Sequence, residues 1–329
     1  MVADAVEPLP GIAVLCFGAL SARLLSAVIG VNELLLAIGL GVLMTNTVGV
    51  PDLFESGIGT HSIWLAAGIV LLGASLTVGA VLEIGSVVLV LLLVAVTATV
   101  LLVEGIARNT AGIAERFGSL LAAGAGICGV SAVIAVGGSI RAKETEIAYA
   151  AGVVLLIDAI TIVVYPIVGS ALGLPGTVFG IWAGISMLST GPVVAVGFAH
   201  SDIAGQWATM TKLARNALIG AVALGYAWYY TRRGSGGAVS FGTLWSKFPK
   251  FVVGFIAFIA LASAGVFSPE EQASIASAVD WLFLLAFVGL GTEIRIGSLR
   301  RTGVAPLLVV FTAILVVSAL SLSVLLVIF

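Results

Sequence analysis

Apolar runs of membrane-crossing length follow one another along the chain, separated by short polar breaks. A helix needs about 20 apolar residues to cross hydrocarbon. Runs close to that length lie at 10–29, 33–49, 63–82, 86–107, 117–138, 146–170, 176–198, 207–229, 249–267, 275–296 and 304–328. The pattern predicts an all-α polytopic membrane protein of about 11 transmembrane helices, or about 10 with a re-entrant segment in the middle. The chain reads as a single membrane domain over 1–329. Its longest polar break, TRRGSGGAVSFGTLWSKFPK at 231–250, is rich in Gly and Ser. Residues 231–248 therefore read as a flexible cytoplasmic loop rather than a domain.

Composition points the same way. Of 329 residues, 60% are hydrophobic and 9% charged, where a soluble domain carries about 25% charged residues. The lipid bilayer is thus an expected partner, and a net charge of −2 argues against nucleic acid. The opening MVADAVEPLP is acidic, which argues for a retained first helix rather than a cleaved signal. Cys16 and Cys128 lie in apolar segments without metal-ligand spacing, and read as buried thiols. His61 and His200 fall in predicted loops. The sequence holds no HExxH, GxSxG or Walker loop, so neither an enzyme nor a cofactor is expected.

Basic residues in short loops set orientation. Arg232, Arg233, Lys247 and Lys250 lie between the eighth and ninth spans, and Arg300 and Arg301 precede the last run, whereas FSPEEQ carries acids only. These loops place the N-terminus inside and the C-terminus outside the cell membrane. The first half conflicts: a straight count puts Arg108 and Arg116 inside but Arg141 and Lys143 outside. A re-entrant segment in the middle would flip that half.

Two internal matches stand out. LGASLTVGAVLEIG (72–85) aligns with LGTEIRIGSLRRTG (290–303) through Leu72/Leu290, Gly73/Gly291, Gly79/Gly297 and Gly85/Gly303. An odd number of predicted spans separates them, so the copies are inverted, as in secondary transporters. AGAGICGVSAVIAVG (123–137) also aligns with AGISMLSTGPVVAVG (183–197), but an even span offset makes that pair parallel. The inversion does not account for it.

The candidate chemistry lies in those last two stretches. Gly118, Gly124, Gly126, Gly129, Gly137 and Gly138 weaken one run; Gly176, Gly180, Gly184, Gly191, Gly197 and Pro192 weaken the other. Close packing through small residues is the bland reading. Broken helices are the sharper one, because they expose N–H groups and a positive dipole end to an anion. Ser131, Ser186, Ser189 and Thr190 add hydroxyl donors. Ionisable residues within spans are functional candidates by default. Lys212 and Arg215 share a helix face, with snorkelling to the interface as their alternative. Asp158 sits near the middle of its run and is the ion-coupling candidate, with a proton or sodium as the ion. Arg23 and Asp280 lie nearer the ends and read as structural, and RAKETEIA (141–148) as a solvated loop.

ICGVSAVIAVGGSIRAKETEIA (127–148), Tyr165-Pro166, GIWAG (180–184) and TKLAR (211–215) together resemble the YeiH-like family of sulfate-exporter membrane proteins, over residues 10–310. The resemblance implies inverted repeats, a core domain of broken, crossing helices and a flatter panel domain, as in cation/proton antiporters and bile-acid symporters. It implies that Cys128, Gly129, Ser131, Lys143 and Glu144 line or support the first broken helix, and that Lys212 and Arg215 face the site. The chain departs from the family where a histidine, an aspartate and a glutamine are usual: Leu188, Ser189 and Pro192 stand there. Asp158 stands where the family has glycine.

The leading expectation is a secondary-active transporter of a small anion: sulfate, sulfite or an organic sulfonate. A sodium- or proton-linked antiporter or organic-acid symporter is the alternative, and a non-transporting scaffold or sensor the third reading. Whether the chain forms a homo-oligomer stays open.

Overall fold

The structure, a computed structural model, describes residues 8–76, 78–233, 250–295, 297 and 304–329. All regular structure among these residues is helical. Among the described residues, six stretches are long and apolar enough to cross a bilayer: Pro8–Ile29, Asp52–Ser75, Gly85–Asn109, Glu144–Ala171, Pro269–Glu293 and Val304–Ile328. The membrane-protein class holds, but the predicted runs are not all single helices. Four of them are divided, at 73–76, 127–129, 187–189 and 217–218.

The chain forms two compact units, Met1–Gly85 with Lys250–Gly297, and Ser86–Pro249 with Ser298–Phe329. The sequence shows no boundary of this kind, because each unit collects two segments that are far apart in the chain.

The first unit contains α1 (Pro8–Ile29), α2 (Glu33–Thr47), α3 (Asp52–Ile58), α4 (His61–Leu72), α13 (Phe251–Ser263) and α14 (Pro269–Glu293). Small residues let its helices approach closely. A Cβ on Gly41 would lie 2.9 Å from the Cα of Gly291, and one on Gly11 would lie 2.6 Å from the Cα of Gly57. On α1 the buried stripe is Leu15, Ala19 and Ala22. Cys16 falls one position off that stripe and is exposed, contrary to its expected burial. Arg23 is structural: it pairs with Glu33 at 3.8 Å and stacks over Trp281 at 4.6 Å. His61 opens α4 rather than lying in a loop, and its Nε2 is 3.3 Å from Glu293. The matched stretches 72–85 and 290–303 both begin where a helix ends, at Leu72 and at Leu290–Glu293. Much of the second copy, with Arg300 and Arg301, lies outside the described residues, as do Lys247 and most of the 231–248 loop.

The second unit contains most of α5 (Val78–Asn109), then α6 (Glu115–Gly126), α7 (Val130–Ile140), α8 (Glu144–Ala171), α9 (Gly176–Ser186), α10 (Thr190–His200), α11 (Asp202–Asn216), α12 (Ile219–Arg232) and α15 (Val304–Ile328). Its two glycine-rich runs are broken as expected, but they do not run through. A continuous helix would hold Arg116 and Arg141 about 37 Å apart. Instead Arg116 Nη1 donates to the Arg141 carbonyl at 3.1 Å, so α6 and α7 form a hairpin. The rings of Phe179 and His200, at the base of α9 and the end of α10, stack 4.1 Å apart, so α9 and α10 form a second hairpin.

The single long helix α8 joins the two. Hairpin one ends just before Glu144, and hairpin two begins just after Ala171. At about 1.5 Å per residue, those bases lie some 42 Å apart, and the hairpins enter the unit from opposite ends. The match between 123–137 and 183–197 is thereby an inverted one: a single crossing, α8, separates its copies.

One end of this unit gathers basic residues. Arg108 sits 2.7 Å from Glu115 and also pairs with Glu104, while Arg233 sits 2.7 Å from the same Glu115. Arg116 and Arg141 meet there too. RAKETEIA is less a loop than a junction. Arg141, at φ +53°, closes α7, and the Glu146 carboxylate accepts the Lys143 N–H at 3.0 Å to open α8.

Candidate functional site

The inverted match aligns the two hairpin tips: Ile127-Cys128-Gly129 with Met187-Leu188-Ser189. Each tip exists because its sequence cannot continue a helix. Gly129 takes φ +69°, ψ −134°, which a residue with a Cβ avoids. Met187 and Ser189 are extended, and α10 begins at Thr190. Pro192 is the third residue of α10 and does not itself make the break. It occupies the first turn, where its missing N–H is no loss. The tips touch: a Cβ on Gly129 would lie 2.1 Å from Ser189 Oγ.

A helix end leaves its last carbonyls without intrahelical donors, and inside a membrane protein each needs a donor from elsewhere. Lys212 and Arg215 supply them from α11. Arg215 Nε donates to Gly126 O at 2.7 Å, and Nη1 to Ile185 O and Met187 O at 2.6 and 2.8 Å. Its Nη2 donates to Ala125 O. Lys212 Nζ donates to Ile127 O at 2.9 Å, to Met187 O at 3.1 Å, and to Leu188 O. The pairing follows the repeat. Arg215 takes the matched carbonyls of Ala125 and Ile185; Lys212 takes those of Ile127 and Met187. Both cations are buried, at 0% and 1% exposure, so they do not snorkel. All three ammonium protons of Lys212 have carbonyl acceptors.

The amino ends are built differently. Asp158, residue 15 of α8 and 3% exposed, accepts the Ser189 N–H on Oδ1 at 3.1 Å. The carboxylate thus reaches the position where the resemblance placed an aspartate, arriving from another helix. The N–H groups of Thr190 and Gly191 have no intrahelical acceptor. Asn216 Nδ2 donates to Thr190 Oγ1 at 3.0 Å. Asn216 is 2% exposed, and its Oδ1 meets no hydrogen-bond partner among the described residues; neither does Thr211 Oγ1.

Of the predicted residues, Cys128, Gly129, Ser189, Thr190, Lys212, Arg215 and Asp158 gather at the tips. Ser186 lies beside them but is committed elsewhere. Tyr165 Oη contacts it at 2.8 Å, and its own hydroxyl donates to Trp182 O at 2.5 Å. Ser131 lies on an exposed face of α7. His200 ends α10 rather than lying in a loop, with Nε2 3.0 Å from Leu174 O. Asn216 and Thr211 were not singled out from the sequence. The signal was there: Thr211, Lys212, Arg215 and Asn216 are spaced to share one face of α11.

Comparison with known proteins gives a family and no fold. Residues 10–310 match the family described as conserved hypothetical protein 698. A UPF0324 membrane protein of Nitratidesulfovibrio vulgaris is 31% identical over 313 residues, covering 90% of this chain and 87% of the relative. One from Bacillus cereus is 28% identical, covering 89% and 87%. One from Clostridium tetani is 27% identical, covering 82% of each. No solved structure matches the chain significantly.

Proposed function

The chain belongs to the conserved hypothetical protein 698 family of UPF0324 membrane proteins, and from that premise we propose that it is a secondary-active transporter of a small anion. One observation carries the reading: both buried cations are bound to carbonyls at the carboxyl ends of the half-helices. That neutralises the negative poles and leaves the amino ends of α7 and α10 as the positive pole at the tips. Non-helical backbone at membrane depth is tolerated only against protein or a watery cavity. Two hairpins entering from opposite ends around one locus fit alternating access. The donors near α10 suit an oxyanion: the N–H groups of Thr190 and Gly191, and the second proton of Asn216 Nδ2, whose first goes to Thr190 Oγ1. Lys212 and Arg215 hold this frame rather than the anion itself.

A sodium-linked carrier is the second reading. It is less well supported, because six carbonyls that could ligate sodium already accept from Lys212 and Arg215. The substrate class of sulfate, sulfite or organic sulfonate, and export as its direction, rest on the resemblance alone. Gathering Arg108, Arg116, Arg141 and Arg233 at one end favours that end as cytoplasmic. The hairpins remove two crossings from the count, an even number, which supports the reading of the N-terminus inside and the C-terminus outside the cell membrane.

Thermal unfolding of the purified protein in graded sulfate, sulfite and methanesulfonate, paired with uptake of the same anions into proteoliposomes, tests the reading. Saturable stabilisation by one of them, with uptake of that anion, is expected. No stabilisation and no uptake across the panel overturns it and leaves a scaffold or sensor.

A further inference from the structure

Away from the hairpin tips, a groove of about 650 Å³ runs between α5 and α12 of the second unit. The two helices lie side by side and point the same way. Tyr226 Oη donates to Glu104 Oε1 at 2.8 Å, and one turn further on Arg108 Nη1 donates to Tyr229 Oη at 2.9 Å. One half of the groove is apolar, lined by Val100, Leu101, Gly105, Val222 and Gly225. The other half carries Arg108, Tyr226, Trp228 and Tyr229. The groove is open along one side, where Leu101 and Trp228 are 66% and 60% exposed. From Val100 to Asn109 it is about 14 Å long at 1.5 Å per residue. That is close to half of a hydrocarbon core about 30 Å thick, so the groove is one leaflet deep. Its tryptophan and tyrosines then fall at the level of the headgroups.

Two features point to its occupant. The first is the pair of glycines. Glycine in a membrane helix commonly lets a neighbour approach, but a Cβ on Gly105 or on Gly225 would meet no described atom within 4 Å. Each glycine weakens its helix, and together they keep the apolar slot clear from both sides. At that depth a bilayer offers only acyl chains or another protein.

The second feature is charge. At the polar end Arg108, Arg116, Arg232 and Arg233 face only two acids, Glu104 and Glu115. Both acids are engaged. Glu104 holds Arg108, Tyr226 and Ser119; Glu115 holds Arg108, Arg233 and Tyr229. The carboxyl ends of α5 and α12 subtract about half a charge each, which still leaves a positive rim. Arg232, in the last turn of α12, forms no ion pair among the described residues. Its guanidinium lies 4.2 Å over the ring of Trp228, a wall of the groove. The segment 231–250 that follows holds no acidic residue. A second copy packed here about a two-fold axis would set this positive rim against itself. An anionic headgroup suits it, as in basic pockets between membrane helices.

We propose that the groove between α5 and α12 holds one anionic phospholipid, with an acyl chain laid over Gly105 and Gly225 and the phosphate at Arg232. The site needs no transported substrate, so it stands or falls independently of the anion-transporter reading.

The test uses the full chain in a neutral detergent, with phosphatidylglycerol and phosphatidylcholine of the same acyl chains as probes. Binding is read by native mass spectrometry and by thermal unfolding. One phosphatidylglycerol is expected to bind at least about fivefold more tightly than phosphatidylcholine, the worth of about one guanidinium at a membrane surface. Arg232→Gln is expected to bring the two lipids level. Gly225→Leu fills the slot without overlap, and is expected to lose tight binding of both lipids with no fall in unfolding temperature in their absence. Gly220→Leu, on the same helix but outside the groove, is expected to bind as the native chain does. Equal binding of the two lipids by the native chain overturns the proposal, as does a preference that survives Arg232→Gln. An equal loss in Gly220→Leu and Gly225→Leu overturns the placement in the groove. Stabilisation by glycerol 1-phosphate matching that by phosphatidylglycerol would make the ligand a free phosphate and overturn the lipid. A dimer that Gly225→Leu dissociates and phosphatidylglycerol leaves unchanged would make the occupant a second copy, and overturns it too.

Discussion

At their carboxyl ends the two hairpins are treated alike. Arg215 takes the matched carbonyls of Ala125 and Ile185, and Lys212 those of Ile127 and Met187. At their amino ends the match stops. Hairpin one turns on a glycine at φ +69° and begins α7 with Val130 and an exposed Ser131. Hairpin two turns on an extended serine, whose N–H meets Asp158, and begins α10 with Thr190, held by Asn216. The shared half answers a requirement that any buried helix end has: its carbonyls need donors. The unshared half answers no such requirement. Saturating an N–H does not call for a buried carboxylate, and an unpartnered amide oxygen is a cost. That asymmetry is why function is placed at the amino end of α10.

Removing the shared half should have the largest effect. Arg215→Met leaves the carbonyls of Ala125, Gly126 and Ile185 buried without donors, since only Met187 keeps Lys212. At about 1–3 kcal/mol each, the loss is about 3–9 kcal/mol, comparable with the whole stability of many domains, about 5–15 kcal/mol. The expected outcome is no monodisperse protein on size exclusion in detergent, with Arg215→Lys recovering part of it. A well-folded Arg215→Met would break the comparison, because the carboxyl ends would then need no cation.

This role could not be read from the sequence. Glycine clusters, a proline and the hydroxyls marked where the helices fail, because backbone preference is local. Gly129 and the start at Thr190 follow from it. The partners of Arg215 lie 28 to 90 residues away and are main-chain atoms, which no side-chain pattern reports. The sequence therefore offers Lys212 and Arg215 only as two cations on one helix face, with nothing to name what they bind. The hairpins were hidden for a related reason. The runs 117–138 and 176–198 have the length of a span, and only contacts such as Arg116 with the Arg141 carbonyl reveal the return. The clue was the conflict in basic residues: with hairpin one folded back, Arg108, Arg116, Arg141 and Lys143 fall at one end. The same folding turns the unexplained parallel match into an inverted one.

The next largest effect separates the tips themselves. Gly129→Ala meets two obstacles, a positive φ and Ser189 Oγ only 2.1 Å from the new Cβ. We expect a loss of about 2–4 kcal/mol, from the strained backbone and the overlap together. Removing the serine side chain should relieve only the second. The double variant Gly129→Ala/Ser189→Gly is thus expected to recover part of the loss in unfolding temperature, and Ser189→Gly alone to lose under about 1 kcal/mol. Full recovery in the double variant would mean that hairpin one turns without backbone strain. The tips would then be closer equivalents than their dihedral angles indicate.

The smallest effect on stability is expected where the effect on function is largest. Asn216→Leu removes the hydrogen bond to Thr190 Oγ1, worth about 1 kcal/mol, but it also removes a buried oxygen without a partner, whose burial costs a similar amount. The two nearly cancel, so the unfolding temperature without ligand should stay close to that of the native chain. The amide is one of the donors available to an anion at α10, and leucine offers none. Anion-induced stabilisation should therefore fall by at least tenfold in apparent affinity, a difference of about 1.4 kcal/mol. A residue that merely packs α11 against α10 would show the reverse, a lower unfolding temperature with the anion response intact. That reverse result would return the amino end of hairpin two to the same footing as that of hairpin one, and the anion would have to be sought elsewhere on the tips.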